Sequence, residues 1–233
     1  MRRLLCTAAL IALAAPGVAL AGPPFVTDDP EPTDLHKWEV YNFAAGTREG
    51  GETSTDIGAD LNYGAAKDLQ LTLSLPFAKD PGSARAIGDI EVAAKYKFLH
   101  QSGGLADVAF FPRAYLPTGR GSTRTRLLLP LWAQRDWGKW SLFGGGGYVL
   151  NPGAGQRNYW QHGAVLARQM RPGFQLGLEY YGAGPSALGE RAVHGVNLGT
   201  VIHLAGPFSL LGSVGQGLNR QQTIFYTALK LDM

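Results

Sequence analysis

The segments DIGADLNY (residues 56–63) and LQLTLSLPF (residues 69–77) alternate apolar residues with polar or small ones over almost their whole length. A period of two is typical of an extended strand that has one apolar face and one polar face. Five residues separate the two segments, a distance that suits two strands joined by a turn. Each segment is close to the length of about 9–11 residues that a tilted strand needs to cross a bilayer. The pair therefore predicts neighbouring strands of a transmembrane β-barrel.

The same alternation recurs as far as the C-terminus and predicts the fold class. We expect an all-β protein, a transmembrane antiparallel up-and-down β-barrel of about 12 strands, because a single-chain outer-membrane barrel has an even strand number. The predicted strands cover residues 36–47, 53–63, 69–77, 89–99, 107–116, 124–134, 140–150, 159–169, 174–181, 193–204, 208–216 and 223–233.

The N-terminus predicts export of the chain. Arg2 and Arg3 precede an apolar run at residues 4–20, and small residues surround the expected cleavage point before Gly22. We therefore predict a cleaved signal peptide at residues 1–21 and an outer-membrane location. Residues 22–35 are predicted to be a periplasmic lead-in, because their first thirteen residues contain four prolines and four acidic residues without apolar periodicity. Residues 36–233 form the predicted barrel domain.

The composition excludes several classes of function. Cys6 is the only cysteine and lies in the predicted signal peptide, so disulfides and thiol chemistry are not expected after cleavage. Losing Arg2 and Arg3 lowers the net charge from +3 to +1, which does not favour nucleic-acid binding. We predict a monomer without a cofactor. The expected partners are outer-membrane lipid, the barrel-assembly machinery and a small-molecule solute.

The polar faces of the predicted strands indicate the residues of the lumen. Charges that face lipid would cost a few kcal/mol each near the midplane, so these side chains are expected to face the interior. In one interpretation they line an open conduit. In the other they pair with one another in a plugged barrel, where the acidic lead-in docks on Lys95, Lys97, Arg113 and Arg168. The predicted lumen-lining residues are Asp56, Asp60, Asn62, Gln70, Asp89, Glu91, Lys95, Lys97, Arg113, Arg126, His162, Arg168, Glu179, Asn197 and His203.

The sequence does not favour an enzyme. An outer-membrane acyl hydrolase would need a serine and a histidine together on the lipid-facing surface. The residues available for it are His162, His194, His203, Ser141, Ser209 and Ser213, and no pair of them falls at motif spacing. No cluster of metal ligands is local in sequence. We therefore predict no catalytic residues and no metal site.

Short stretches spread over most of the predicted mature chain form a recognisable set. They are GPPFVTDDPEP (22–32), WE (38–39), LNYG (61–64), LPLW (129–132), GKW (138–140) with the glycine run at 144–147, and NPGAGQRNYW (151–160). This set resembles the outer-membrane transporter family named for the MetA-pathway of phenol degradation. The resemblance implies a barrel that passes small, aromatic or hydrophobic solutes. It implies no particular binding residues. The alternatives are a structural or plugged barrel without transport and, less favoured, an acyl hydrolase.

Overall fold

A computed structural model describes residues 24–233 as β-strands joined by turns and loops. The predicted signal peptide, with Cys6 and the expected cleavage point, lies outside the described residues. Residues 24–233 contain no helix of the length and apolarity that a membrane crossing requires. The strands are β1 (Trp38–Glu49), β2 (Glu52–Ala66), β3 (Leu69–Lys79), β4 (Ala86–Ile87), β5 (Ile90–Leu99), β6 (Asp107–Phe110), β7 (Arg113–Leu116), β8 (Arg126–Trp137), β9 (Trp140–Leu150), β10 (Tyr159–Arg171), β11 (Phe174–Ala183), β12 (Val193–Ala205), β13 (Phe208–Gly217) and β14 (Gln222–Asp232).

These strands form one closed antiparallel barrel, as the sequence predicts. Each main strand pairs with the next along the chain, and β1 closes the sheet by pairing with β14 from Glu39↔Asp232 to Glu49↔Gln222. The short β4 lies beside the end of β3. Segments β6 and β7 form one crossing between β5 and β8, so the barrel has 12 strands. Closure leaves no unpaired sheet edge, which a barrel in lipid requires.

The interruption between β6 and β7 has a local cause. Pro112 has no N–H group to donate to a sheet ladder, so regular pairing stops there. The neighbouring strands still reach across the gap. Phe111 N donates to the Pro130 carbonyl at 3.3 Å, and Ala94 N donates to the Pro112 carbonyl at 3.2 Å.

Side chains alternate between the interior and the outer face along every crossing. The register places Asn62 opposite Thr72 and Gln70 opposite Lys95, so the polar faces of β2, β3 and β5 share the interior. The alternate residues, such as Ile57 and Leu71, are exposed on the outer face. This outer band of exposed aliphatic and aromatic side chains is the surface that a barrel presents to lipid.

The two ends of the barrel differ in their connections. At the turn end, which holds Trp38 and Met233, strands are joined by turns as short as residues 138–139 and 172–173. At the loop end the connections include residues 151–158 and 184–192, which are longer. Chain closure at the turn end is reciprocal, because Trp38 and Met233 exchange backbone hydrogen bonds of 2.8 and 2.9 Å.

Candidate functional site

The first described residues, 24–34, lie inside the barrel and are called the strap here. The strap enters at the turn end, where His36 N donates to the Gly64 carbonyl at 2.8 Å. It then crosses the interior from the wall of β2, β3, β5 and β7 to the wall of β10–β13. It contacts β3 near its start and β5, β11 and β13 near their middle. The sequence predicts a periplasmic lead-in that, in the plugged interpretation, docks on cations of the lumen. In the structure Asp28 and Glu31 of the strap contact Lys95 and Lys97 inside the barrel.

The strap contacts the first wall through a buried ion cluster. The Asp28 carboxylate accepts from Lys95 Nζ at 3.0 Å and from the Arg113 guanidinium. Arg113 also lies 3.5 Å from Glu91. The exposed fractions of Asp28, Lys95 and Arg113 are 2%, 4% and 5%. Burial weakens the screening of these charges by water, and removing one partner of such a cluster typically costs about 3–5 kcal/mol.

Protonation of Asp28 should release this contact only in acid. Burial opposes ionisation, but Lys95 and Arg113 outweigh it and hold the pKa of Asp28 below its ordinary value of 3.8. A lowered pKa contributes stability above the unfolded value that is lost as the pH falls through the folded one. We expect the strap to stay docked from neutral pH down to about pH 4 and to detach below it. Conductance recorded against pH checks this, and opening between pH 5 and 7 would contradict it.

Two further contacts fix the strap along the same wall. Lys97 Nζ donates to the Glu31 carboxylate at 2.6 Å. The Gln70 side-chain oxygen accepts from both Thr33 N, at 2.8 Å, and Thr33 Oγ1, at 3.0 Å. Gln70 is itself held in place because its amide donates to Asn62 Oδ1 at 2.9 Å.

On the opposite wall the strap's backbone binds one carboxyl group. Glu179 accepts hydrogen bonds from Val26 N at 3.1 Å and Thr27 N at 2.5 Å. Asn197 donates its side-chain amide to the same group at 2.9 Å. Glu179 and Asn197 are 1% and 2% exposed, so these are interior contacts. At the beginning of the strap, Ser213 Oγ donates to the Pro24 carbonyl at 2.6 Å.

Three interior glycines make the space that the strap occupies. A Cβ at Gly177 or Gly199 would lie 2.5 Å from the Phe25 ring, and a Cβ at Gly163 would lie 1.9 Å from Thr27 Oγ1. Any larger residue there would collide with the strap. Phe25 is 5% exposed and packs with Val165 and Ala167 on β10. Burying a phenylalanine typically contributes about 1.5–3 kcal/mol, so this contact supplements the ion cluster.

A different part of the interior is apolar. Strands β1, β13 and β14 bring Phe43, Leu211 and Tyr226 together with Ala45 and Ala228. The Phe43 and Tyr226 rings stack with their centroids 6.3 Å apart. The Tyr226 hydroxyl has no hydrogen-bond partner among residues 24–233. The lumen is thus charged on one side of its circumference and aromatic on another.

The structure places most of the predicted lumen residues on the interior face. The strap directly contacts Gln70, Lys95, Lys97, Arg113 and Glu179. The remaining interior residues are Asp56, Asp60, Asn62, Glu91, Arg126 and Asn197. Arg126 lies over the Tyr115 ring at 4.4 Å and does not contact the strap.

Four residues of the prediction lie elsewhere. His162 and Arg168 lie on the outer face of β10, because the other parity, Val165 with Ala167, turns inward to pack against Phe25. Asp89 precedes β5 at the loop end, where it accepts from Gly119 N at 3.0 Å and Ser122 Oγ at 2.7 Å. His203 has interior register but is exposed at the turn end, opposite Ser209.

The prediction that the strap docks on Arg168 is wrong, because the Arg168 guanidinium lies over the Trp140 ring at 5.2 Å on the outer face. Phe25 and its glycine groove were not predicted from the sequence. Gly163, Gly177 and Gly199 each lie on the interior parity of their own strand, which is a signal for the groove. That signal can be recognised only when the register of the three strands is known.

The serines and histidines available to a hydrolase are mostly separated by the barrel wall. Ser141 and Ser213 face the interior, whereas His162 and His194 are on the outer face. His203 lies opposite Ser209 in register, yet no hydrogen bond joins their side chains within the described part of the chain.

Several known structures with a similar architecture are outer-membrane channels. A channel from Pseudomonas putida F1 superposes with a TM-score of 0.70 at 13% identity, covering 88% of this chain and 98% of that one. The NanC porin gives 0.63 at 7% identity, with coverages of 82% and 98%. The KdgM porin in complex with disordered oligogalacturonate gives 0.61 at 9% identity, with coverages of 83% and 98%. No protein-family model and no curated protein sequence matches the chain. The chain therefore has the fold of a porin-like barrel.

Proposed function

We propose that this protein is an outer-membrane channel for small solutes whose lumen is closed by the strap until the strap moves. The observation that carries the proposal is the crossing of the interior by residues 24–34, with Asp28 bound to one wall and Thr27 to the other. A barrel braced only for stability could pair its own wall charges. Here the wall charges Lys95 and Arg113 bind a segment that lies outside the sheet and can leave it.

The solute class we propose is small and aromatic or hydrophobic. The apolar wall of Phe43, Leu211 and Tyr226 offers stacking surfaces, and the Tyr226 hydroxyl can hydrogen-bond a polar substituent on a ring. This proposal agrees with the resemblance to the transporter family named for the MetA-pathway of phenol degradation. We also propose insertion by the barrel-assembly machinery and a monomeric barrel.

Locking the strap tests the proposal directly. A Cβ at Gly163 would lie 3.2 Å from the Thr27 Cβ, close to the separation of about 3.5–4.5 Å that a disulfide requires. After removal of the predicted signal peptide the chain has no other cysteine. The double variant Thr27→Cys with Gly163→Cys removes the Thr27 Oγ1 atom that a Cβ at Gly163 would meet, and it should therefore form one defined cross-link. We expect no conductance in planar bilayers when it is oxidised, and measurable openings when it is reduced.

The single variant Thr27→Cys is the matched control, because oxidant should leave its conductance unchanged. Equal conductance in the oxidised and reduced double variant would mean that solutes pass beside the docked strap. No conductance in either state, and none in a variant without the strap, would contradict the channel itself.

A plugged barrel without transport is the second candidate. The burial of Thr27, Asp28 and Thr33 to 2%, 2% and 4% exposure favours it, because such a strap resembles a permanent part of the core. The experiment separates the two, since a permanent strap predicts a reduced double variant that never opens.

A further inference from the structure

The outer face of the barrel carries an open cleft at the loop end that the lumen does not use. Its volume is about 340 Å³, and Arg157, Trp160, His162, Pro185 and His194 are among the residues that line it. Ligand sites commonly begin at about 300 Å³. His162 and His194 are within three residues of the starts of β10 and β12, at Tyr159 and Val193. At about 3.3 Å per residue, the cleft lies within roughly 10 Å of the loop end.

Two histidines converge in this cleft over a glycine. His162 and His194 flank Gly182 in register on the three adjacent strands β10, β11 and β12. A Cβ at Gly182 would lie 2.8 Å from both His162 Nε2 and His194 Nδ1, so the absent side chain leaves room for the two rings to lean together. The Tyr180 hydroxyl is 2.9 Å from His194 Nδ1 and orients that ring.

The cleft is rich in hydrogen-bond donors and poor in acidic groups. Arg157 has no carboxylate within ion-pair distance in the described chain. Its backbone is fixed, because Arg157 N donates to the Ser186 carbonyl at 2.8 Å and so ties the two loops together. The single acidic residue of the adjoining loop, Glu190, accepts from Ser186 Oγ at 2.6 Å and from Ala187 N at 3.2 Å. Trp160 is 63% exposed beside these donors.

We propose that this cleft binds the phosphorylated sugar headgroup of an outer-leaflet glycolipid. The Arg157 guanidinium supplies the paired donors that suit a phosphate, and the two imidazoles add ring N–H donors. Trp160 offers a flat surface on which a sugar ring packs. The level of the cleft matches the headgroup region of the leaflet that the loop end meets. The inference rests on the outer-membrane location proposed above but not on transport.

Retention of defined lipids by the detergent-folded full barrel tests the site. The probe is bisphosphorylated lipid A, compared with dephosphorylated lipid A, phosphatidylglycerol and inorganic phosphate, and bound lipid is counted by native mass spectrometry. We expect Arg157→Ala combined with His162→Ala to reduce lipid A retention about tenfold or more, as loss of a charge-assisted hydrogen bond implies. Gly182→Ala should also reduce it, because the new methyl group displaces both rings without changing any charge.

Arg168→Ala is the matched control, since Arg168 is an outer-face cation beside an aromatic ring at the opposite end of the barrel. Lipid A retention by the Arg168→Ala variant should equal that of the wild type. Equal retention by the Arg157 and His162 variant, or equal retention of dephosphorylated lipid A, would overturn the proposal. Binding of inorganic phosphate or phosphatidylglycerol as tight as that of lipid A would also overturn it. Failure of the folded barrel to insert in bilayers would instead contradict the proposed location. Heat-modifiable gel migration shows separately whether the barrel is folded.

Discussion

Deleting residues 24–34 should raise the time-averaged conductance of the barrel about 100-fold or more. A strap held by about 3 kcal/mol or more is free for less than about 1% of the time, and deletion makes the open state permanent. The deletion removes Asp28 and Phe25. It also removes the backbone N–H groups of Val26 and Thr27 that donate to Glu179. Single-channel recording in planar bilayers measures the effect, with heat-modifiable gel migration to show that the barrel is still folded.

The control for the deletion keeps the strap and changes the outer wall. Arg168→Ala removes a cation that the strap does not contact, so its conductance should remain that of the wild type. A deleted barrel that is folded but silent would mean that the interior walls themselves close the lumen. A wild-type barrel that already conducts like the deletion would mean that the strap leaves an open path.

The barrel and part of its interior could be predicted from the sequence because charged residues alternate with apolar ones along several strands. On β5, Glu91, Lys95 and Lys97 alternate with large apolar residues, and only one assignment of faces is compatible with lipid. The period of two then fixes the side of every residue in that strand. The same reasoning holds for β2 and β3, whose faces follow directly from the alternation in residues 56–63 and 69–77.

The faces of β10 could not be predicted in this way. That strand has charged or polar residues on the outer parity, at His162 and Arg168, and apolar residues on the inner parity, at Val165 and Ala167. The inner parity is apolar at Val165 and Ala167 because Phe25 of the strap packs there. The rule that apolar residues face lipid fails wherever a segment fills the lumen, and no local pattern reports that filling.

The contacts of the strap could be only partly predicted from the sequence for the same reason. The sequence suggests that the acidic lead-in can meet Lys95, Lys97 and Arg113, since opposite charges attract across a narrow barrel. The groove that admits Phe25 depends on Gly177 and Gly199 being directly opposed, and strand register determines this. Register is a property of the closed sheet and not of any one strand.

Asp28→Asn should release the strap almost as fully as its deletion. The change leaves Lys95 and Arg113 buried without their shared carboxylate, and the expected loss of about 3–5 kcal/mol is comparable with the net docking free energy of about 3 kcal/mol or more. Conductance should rise towards that of the strap deletion. In the background of Thr27→Cys, whose position is 2% exposed, a thiol reagent should label the released strap rapidly and the docked one slowly.

Asp29→Asn is the matched control for this substitution. The Asp29 side chain is 41% exposed and lies 3.4 Å from the same Lys95 nitrogen, so the pair is partly screened by water. Exposed pairs of this kind contribute about 1 kcal/mol or less, and labelling should rise about fivefold at most. Equal effects of the two substitutions would mean that total strap charge, and not the buried geometry at Asp28, keeps the lumen closed. Unchanged labelling in Asp28→Asn would place the main docking energy in the contacts that the variant retains, at Phe25, Glu179 and Ser213 on the far wall and at Gln70 and Lys97 on the near wall.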